Sequence, residues 1–242
     1  SAMLHGKSLR SPLPHAVITG IDTSEALKLP GVAAVLTRAD LDGLDPFYGA
    51  VVRDRPFIAT DKVRYQGEPV AAVAAVDLAT AEEALDLIQI EYEELPVVSD
   101  TVAALAGAGT TVHDTNLCNE SGYEWGDVDD AFAKADHVFE DTFTFPMVYH
   151  YAMEPHAVIA DYSSQGIIVW STAQHPFLVR EDLARMFGFQ LQQVRVVVPY
   201  LGGGYGSKCN PGRRSLSPAA SSQPTAGRST SPAARRHGRG WP

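Results

Sequence analysis

From residue 13 to about 98 the sequence alternates short strand-like runs with short helical ones, a pattern that confines this stretch to a compact α+β domain. His15 to Ile21 (HAVITGI) reads as a strand. Thr23-Ser24-Glu25 opens a short helix that Pro30-Gly31 ends, and Val32 to Thr37 (VAAVLT) reads as a buried strand. Val63 to Val76 (VRYQGEPVAAVAAV) gives a strand, a turn centred on Gly67 and a second apolar strand. Asp77 is placed to cap a helix over about Ala79 to Leu87, where Ala81, Ala84, Leu85 and Ile88 recur at helical spacing. Ile88 to Tyr92 alternates again and stops at Leu95-Pro96.

Residues 99–126 mix small and polar side chains without a sustained period and read as an extended linker. A second unit follows over 127–208. Its expected elements are a helix Asp129 to Ala135, a long alternating strand His137 to Phe145, and a hairpin of His156 to Tyr162 with Ile167 to Ser171 around Ser163-Ser164-Gln165-Gly166. Pro176 sits near the start of a helix through Phe187 that Gly188 ends. Strand Val194 to Val198 then leads into Tyr200-Leu201-Gly202-Gly203-Gly204-Tyr205-Gly206-Ser207-Lys208.

Composition matters most beyond that point. The 242 residues are 45% hydrophobic and 20% charged, the balance of a core-forming protein, with a net charge of −10. The charge is unevenly placed: residues 208–242 hold seven basic groups and no acid, which leaves 12 basic against 29 acidic residues, −17, in residues 1–207. An acidic body argues against nucleic-acid binding there, because neutralising phosphates needs clustered Lys and Arg. Cys209 to Pro242 is rich in Ser, Pro, Ala, Gly and Arg, with Leu216 and Trp241 its only large apolar side chains, so it is expected to be a disordered basic tail. Two readings fit it, a basic arm for an acidic partner or an out-of-frame translation of GC-rich DNA. No apolar run approaches the roughly 18 residues of a membrane span, so no membrane association and a cytoplasmic location are expected. Two cysteines, Cys118 and Cys209, cannot hold a four-cysteine iron–sulfur cluster or zinc site.

Three local features could carry chemistry. The three consecutive glycines 202–204 after a strand let the backbone approach a ligand and turn successive N–H groups into one concavity, which suits an anion. A P-loop is excluded because Gly206 is followed by Ser207, and the dinucleotide fingerprint fails because its last glycine would fall at Ser207 or Cys209. Gln174 lies between a strand and a helix, offering a donor and an acceptor near a helix N-terminus. His150, Glu154 and His156 form a metal-ligand candidate, against which stands a structural salt bridge or hydrogen-bonded pair. Glu91, Glu93 and Glu94 read as a solvated strand face. No G-x-S-x-G and no HExxH occurs.

At these residues the chain resembles the large, molybdopterin-binding subunit of the xanthine dehydrogenase and aldehyde oxidase family, which includes aerobic carbon monoxide dehydrogenase. LHGKSLRSPLPHAVI, PGVAAVLTRADL, VRYQGEPVAAVAA and IEYEELP resemble the family's α/β hammerhead domain, here residues 3–98. SGYEWGDVDDAFAKADHVFEDTF, YHYAMEPHAVIADY, WSTAQHPF and LGGGYGSK, in the same order and spacing, resemble the first part of its molybdenum-cofactor domain, here 127–208. The resemblance implies a molybdenum–molybdopterin (pyranopterin) cofactor, with FAD and 2Fe-2S centres on partner subunits and an oligomer at full length. It implies that Gln174 hydrogen-bonds the apical oxo group of the metal and that the backbone of Gly203, Gly204, Tyr205 and Gly206 lies beside the cofactor, Tyr205 standing where Phe is usual. It gives His150, Glu154 and His156 no ligand role.

Two departures follow. Cys209 falls where purine-oxidising members carry a substrate-orienting Glu, which counts against xanthine. The second cofactor-binding half, with the Glu that acts as general base, has no counterpart in residues 209–242, and Ser1-Ala2-Met3 precedes a segment that in the family follows further residues. The chain is therefore expected to be a fragment of an oxidoreductase that hydroxylates a small aldehyde or N-heterocycle with water-derived oxygen, inactive alone and holding no catalytic residue itself. Two rivals remain, a non-catalytic hammerhead module that assembles partner subunits and a small metal-dependent enzyme built on His150, Glu154 and His156.

Overall fold

The computed structural model describes residues 3–49, 52–107, 109–117, 120–123, 125–146 and 148–209. The expected tail, apart from Cys209, and Cys118 lie outside these residues. The class is α+β, as the sequence alternation implies.

The first part is organised around one strand. β1 (His5–Arg10), β2 (Ala16–Asp22), α1 (Ser24–Lys28), β3 (Val32–Leu36), β4 (Phe47–Tyr48), β5 (Arg55–Pro56), β6 (Lys62–Val63), β7 (Pro69–Ala75), α2 (Leu78–Asp86) and β8 (Gln89–Glu94) follow in order. β7 is buried along its whole length between antiparallel β1 and β3. A strand covered on both faces reads as a continuous apolar run, which explains Pro69-Val70-Ala71-Ala72-Val73-Ala74-Ala75. Its residues divide among separate cores. Ala71, Val73 and Ala75 pack with Ala26, Ala81 and Ala84 of the helices and with Ile88 just before β8, whereas Val70 packs with Ala16, Ile18, Ala59 and Val63. β2 pairs antiparallel with both β8 and β6. Asp77 caps α2, its carboxylate accepting from the Thr80 N–H at 2.8 Å. β3 is an edge strand and only partly buried, less than its apolar sequence suggests, because among the described residues its outer side has no strand partner.

The region read as a linker contains a short helix, α3 (Thr101–Leu105), whose N-terminus Asp100 caps through Val102 and Ala103. After it come α4 (Val128–Lys134), β9 (Val158–Ser163), β10 (Gly166–Ser171), α5 (Pro176–Phe187) and β11 (Val194–Val197). β9 and β10 form the expected hairpin, and β11 pairs parallel to β10 after the crossover helix α5. Pro176 occupies the first turn of α5 and Gly188 ends it in the left-handed region, φ 68°. The expected strand His137 to Phe145 is not formed. Residues 136–146 and 148–157 lie in no helix or strand, and Phe139, Phe143 and Phe145 are exposed. An alternating run buries one face only where a neighbouring strand and a covering layer receive it, and among the described residues this segment meets neither.

The two parts are not independent. The largest core cluster joins Leu36, Tyr48, Phe57, Ile58 and Ala72 of the first part to Val169, Val179, Leu183, Met186 and Phe187 of the second. Arg185 extends the contact in polar form, pairing with Asp45 and Asp182 and donating to the Phe47 carbonyl. The Arg180 guanidinium fastens the other end of the crossover, donating to the carbonyls of Leu191 at 3.0 Å and Val194 at 2.9 Å. α5 is thereby fixed both to the first part of the chain and to the segment that enters β11. Among the described residues no helix is long and apolar enough to cross a membrane.

Candidate functional site

The turn after β10 carries Gln174, and the loop after β11 carries the glycine cluster; because β10 and β11 are parallel neighbours, both loops emerge at the same end of the sheet. They meet directly. Gln174 Oε1 accepts from the N–H groups of Gly206 and Lys208, each at 3.1 Å, while the Gln174 N–H donates to the Lys208 carbonyl at 2.8 Å. Two donors on one side-chain atom identify it as the amide oxygen. The amide Nε2, with its two donors, has no acceptor among the described residues.

The glycines are required by proximity. A Cβ on Gly204 would lie 2.4 Å from Gln174 Oε1, and one on Gly202 would lie 2.5 Å from the Glu154 Cβ, both inside any real contact distance. The loop is turned by Ser207, whose N–H and hydroxyl both donate to the Gly204 carbonyl, at 2.9 and 2.7 Å. Tyr205 holds a left-handed backbone, φ 52°, with its ring exposed.

Glu154 has the partner that sequence left undecided. Its Oε2 accepts from Lys208 Nζ and from the Gly202 N–H, both at 2.8 Å, and Lys208 Nζ also donates to the Glu154 carbonyl at 2.9 Å. The Lys208 hydrogen bond, helped by the Gly202 N–H, holds the Glu154 carboxyl below its ordinary pKa. With that carboxylate engaged, His150, Glu154 and His156 do not come together as a metal site, and no group of three such ligands occurs among the described residues. Lys208 is the residue that sequence reasoning passed over. It is only 1% exposed, and its signal was a lone lysine closing a glycine run, with Glu154 far away in sequence as its partner. Glu91 and Glu93 are solvated, as expected of an exposed strand face.

Of the residues expected at the site, Gln174, Gly204 and Gly206 are brought into one contact network, and Gly203 lies within it against the Tyr205 ring, which is otherwise exposed. The arrangement fits a cofactor held by hydrogen bonds. A backbone loop in which a Cβ on Gly202 or Gly204 would collide with Glu154 or Gln174 lies beside an amide that offers only donors.

Comparison with known proteins gives the family. Residues 1–96 match the aldehyde oxidase and xanthine dehydrogenase a/b hammerhead domain, and residues 112–236 match the molybdopterin cofactor-binding domain. The chain is 39% identical over 208 residues to a probable xanthine dehydrogenase component of Bacillus subtilis, covering 85% of the chain and 28% of that protein. It is 38% identical over 208 residues to the nicotinate dehydrogenase large molybdopterin subunit of Eubacterium barkeri, covering 85% and 49%. Reconstituted CO dehydrogenase from Oligotropha carboxidovorans superposes with a TM-score of 0.79 at 32% identity, covering 91% of the chain and 30% of that structure. The chain thus spans less than half the length of each of these relatives.

Proposed function

The chain belongs to the aldehyde oxidase and xanthine dehydrogenase family of molybdopterin-binding large subunits, and from that premise we propose that it supplies two parts of a molybdenum hydroxylase. Residues 3–98 are the hammerhead domain and residues 127–208 the start of the cofactor domain. The ligand of the site is a molybdenum–molybdopterin group. When bound, it supplies the redox centre at which an aldehyde or N-heterocycle is oxidised with water-derived oxygen.

The chain's own residues bind and orient. Gln174 offers its Nε2 donors to an oxo acceptor, and the backbone of Gly203 to Gly206 lies beside the cofactor, with Gly204 kept free of a side chain by the closeness of Gln174. The general base that the resemblance assigns to another part of the subunit is not among these residues, so the chain alone is inactive; loss of such a base lowers rates by about 10²- to 10⁴-fold. FAD and 2Fe-2S centres belong to partner subunits, and the assembly is cytoplasmic. A nicotinate dehydrogenase among the relatives supports an N-heterocyclic substrate, and Cys209 counts against a purine.

The observation that carries this reading is the engagement of Gln174 Oε1 by Gly206 and Lys208, which leaves the amide donors for a ligand. The test is to produce the chain with the remainder of a relative's large subunit in a host that makes the cofactor, and to measure molybdenum and pterin. Both are expected in the wild-type complex and lost in Gln174→Glu, which keeps an acceptor for the loop but removes the donors. Molybdenum content indifferent to residue 174, or turnover by the chain alone, overturns the proposal. A complex with partner subunits that holds no molybdenum returns the non-catalytic assembly module instead.

A further inference from the structure

We infer that Glu154 and Lys208 are a pair of positioning residues, whose ion pair holds the glycine loop so that Gln174 presents only hydrogen-bond donors to the group occupying the site. The identity of that group rests on the cofactor reading above; the clamp itself does not.

Both ends of the loop are held by one residue. At its start, Glu154 exchanges two bonds with Gly202: the Glu154 N–H donates to the Gly202 carbonyl at 3.2 Å, and the Gly202 N–H donates to Glu154 Oε2 at 2.8 Å. At its end, the Lys208 ammonium reaches the same Oε2 at 2.8 Å and the Glu154 carbonyl at 2.9 Å. The main chain of Lys208 is in turn bonded both ways to Gln174. The path Glu154, Lys208, Gln174 is therefore continuous in direct contacts.

The energetics point to specification rather than simple stability. Burying an ammonium is costly unless it is paired, and an apolar residue of similar volume would fill the space at least as favourably. A buried lysine makes sense where its geometry sets something, and here that is a side-chain orientation. A flipped Gln174 would turn its NH₂ toward the N–H groups of Gly206 and Lys208, placing donors against donors. These two N–H groups fix the amide only while the loop is held, and the ion pair is what holds the loop at both ends.

The test uses the full chain and reads amide hydrogen exchange and the Gln174 side-chain amide resonances by NMR, neither of which needs bound cofactor. In Lys208→Met, exchange at Gly202, Gly206 and position 208 should rise at least about tenfold and the Gln174 resonances should shift, while the amides of β10 keep their rates. Lys208→Arg should restore part of the protection. Wild-type loop exchange and Gln174 resonances in Lys208→Met overturn the inference. If Lys208→Met instead loosens the whole β9–β10–β11 sheet, Glu154→Gln decides: loop-confined acceleration supports the clamp, and wild-type rates overturn it. The expected exchange pattern in a protein whose complex holds no molybdenum supports the clamp while overturning the cofactor reading, so the two fail separately.

Discussion

Phe57 and Phe187 meet with ring centroids 6.1 Å apart, joining the first part of the chain to the crossover helix of the second. Phe57 is fully buried and Phe187 nearly so, and both belong to the largest core cluster. Gln174, which bonds the glycine loop, lies just before the start of that helix, and Phe187 is the helix's last residue. Phe57→Ala should cost about 3 to 5 kcal/mol, the range for deleting a buried aromatic ring. Urea unfolding followed by one probe in each part should shift both in a single transition. Separate transitions, or a shift confined to the first part, would show that the two cores do not cooperate.

Arg185 makes the polar half of the same junction, and removing it strands a carboxylate. The Asp182 side chain is 3% exposed; burial pushes its carboxyl up, with the Arg185 hydrogen bond pulling the other way. A raised folded pKa favours the protonated form. Its contribution to stability is fully present below the unfolded pKa of about 3.9 and is lost as pH rises through the folded value. In Arg185→Ala the downward pull is gone and the folded pKa rises further. The variant should lose about 3 kcal/mol at neutral pH, and the deficit should shrink as pH falls toward about 4. Thermal unfolding of both proteins across that range checks it, and a pH-independent deficit would refute the account.

Local chemistry was legible in the sequence where neighbours decide the structure. Asp77 caps its helix, Pro176 and Gly188 bound theirs, and the apolar run after Gly67 is the strand β7, whose burial on both faces only the structure supplied. The failures are non-local. His137 to Phe145 has the alternation of a strand, but alternation says nothing about whether a partner strand is present. The Phe57–Phe187 contact and the Glu154–Lys208 pair link residues far apart in sequence, whose meeting depends on how β10, α5 and β11 are stacked. Sequence narrowed Glu154 to a metal ligand or an ion-pair member, and only the fold supplied the lysine.

Glu154 should give the loop an acid transition of its own. Its folded pKa lies below the ordinary glutamate value because Lys208 and the Gly202 N–H stabilise the carboxylate. A depressed pKa contributes stability that is present above the unfolded pKa, about 4.3, and is lost as pH falls through the lower folded value. The Gly202 and Gly206 amide resonances sit in the affected network and should be followed from about pH 6 down into the acid range below the unfolded pKa. They should titrate below about pH 4.3 in the wild type and not in Glu154→Gln. Identical titrations in the two proteins would assign the transition to other carboxylates.

The segment around residues 137–153 should dominate the colloidal behaviour of the chain. Phe139, Phe143 and Phe145 are 86–87% exposed, and Tyr149, Tyr151 and Met153 continue the apolar surface beyond them. On alternate positions of an unpaired stretch, such rings combine exposed hydrophobic area with backbone free to pair with another chain, the two ingredients of aggregation. Because they touch no core cluster, changing them should leave folding stability within about 0.5 kcal/mol. The triple substitution Phe139→Ser, Phe143→Ser, Phe145→Ser should therefore lower dye binding to exposed apolar surface and suppress concentration-dependent association in sedimentation velocity, with Tm nearly unchanged. Hydrogen exchange adds a second reading: the amides of 137–146 should exchange much faster than those of β10. A fall in Tm of several degrees in the triple variant, or protection of 137–146 equal to that of β10, would mean that the segment is packed in solution and that its rings stabilise the fold.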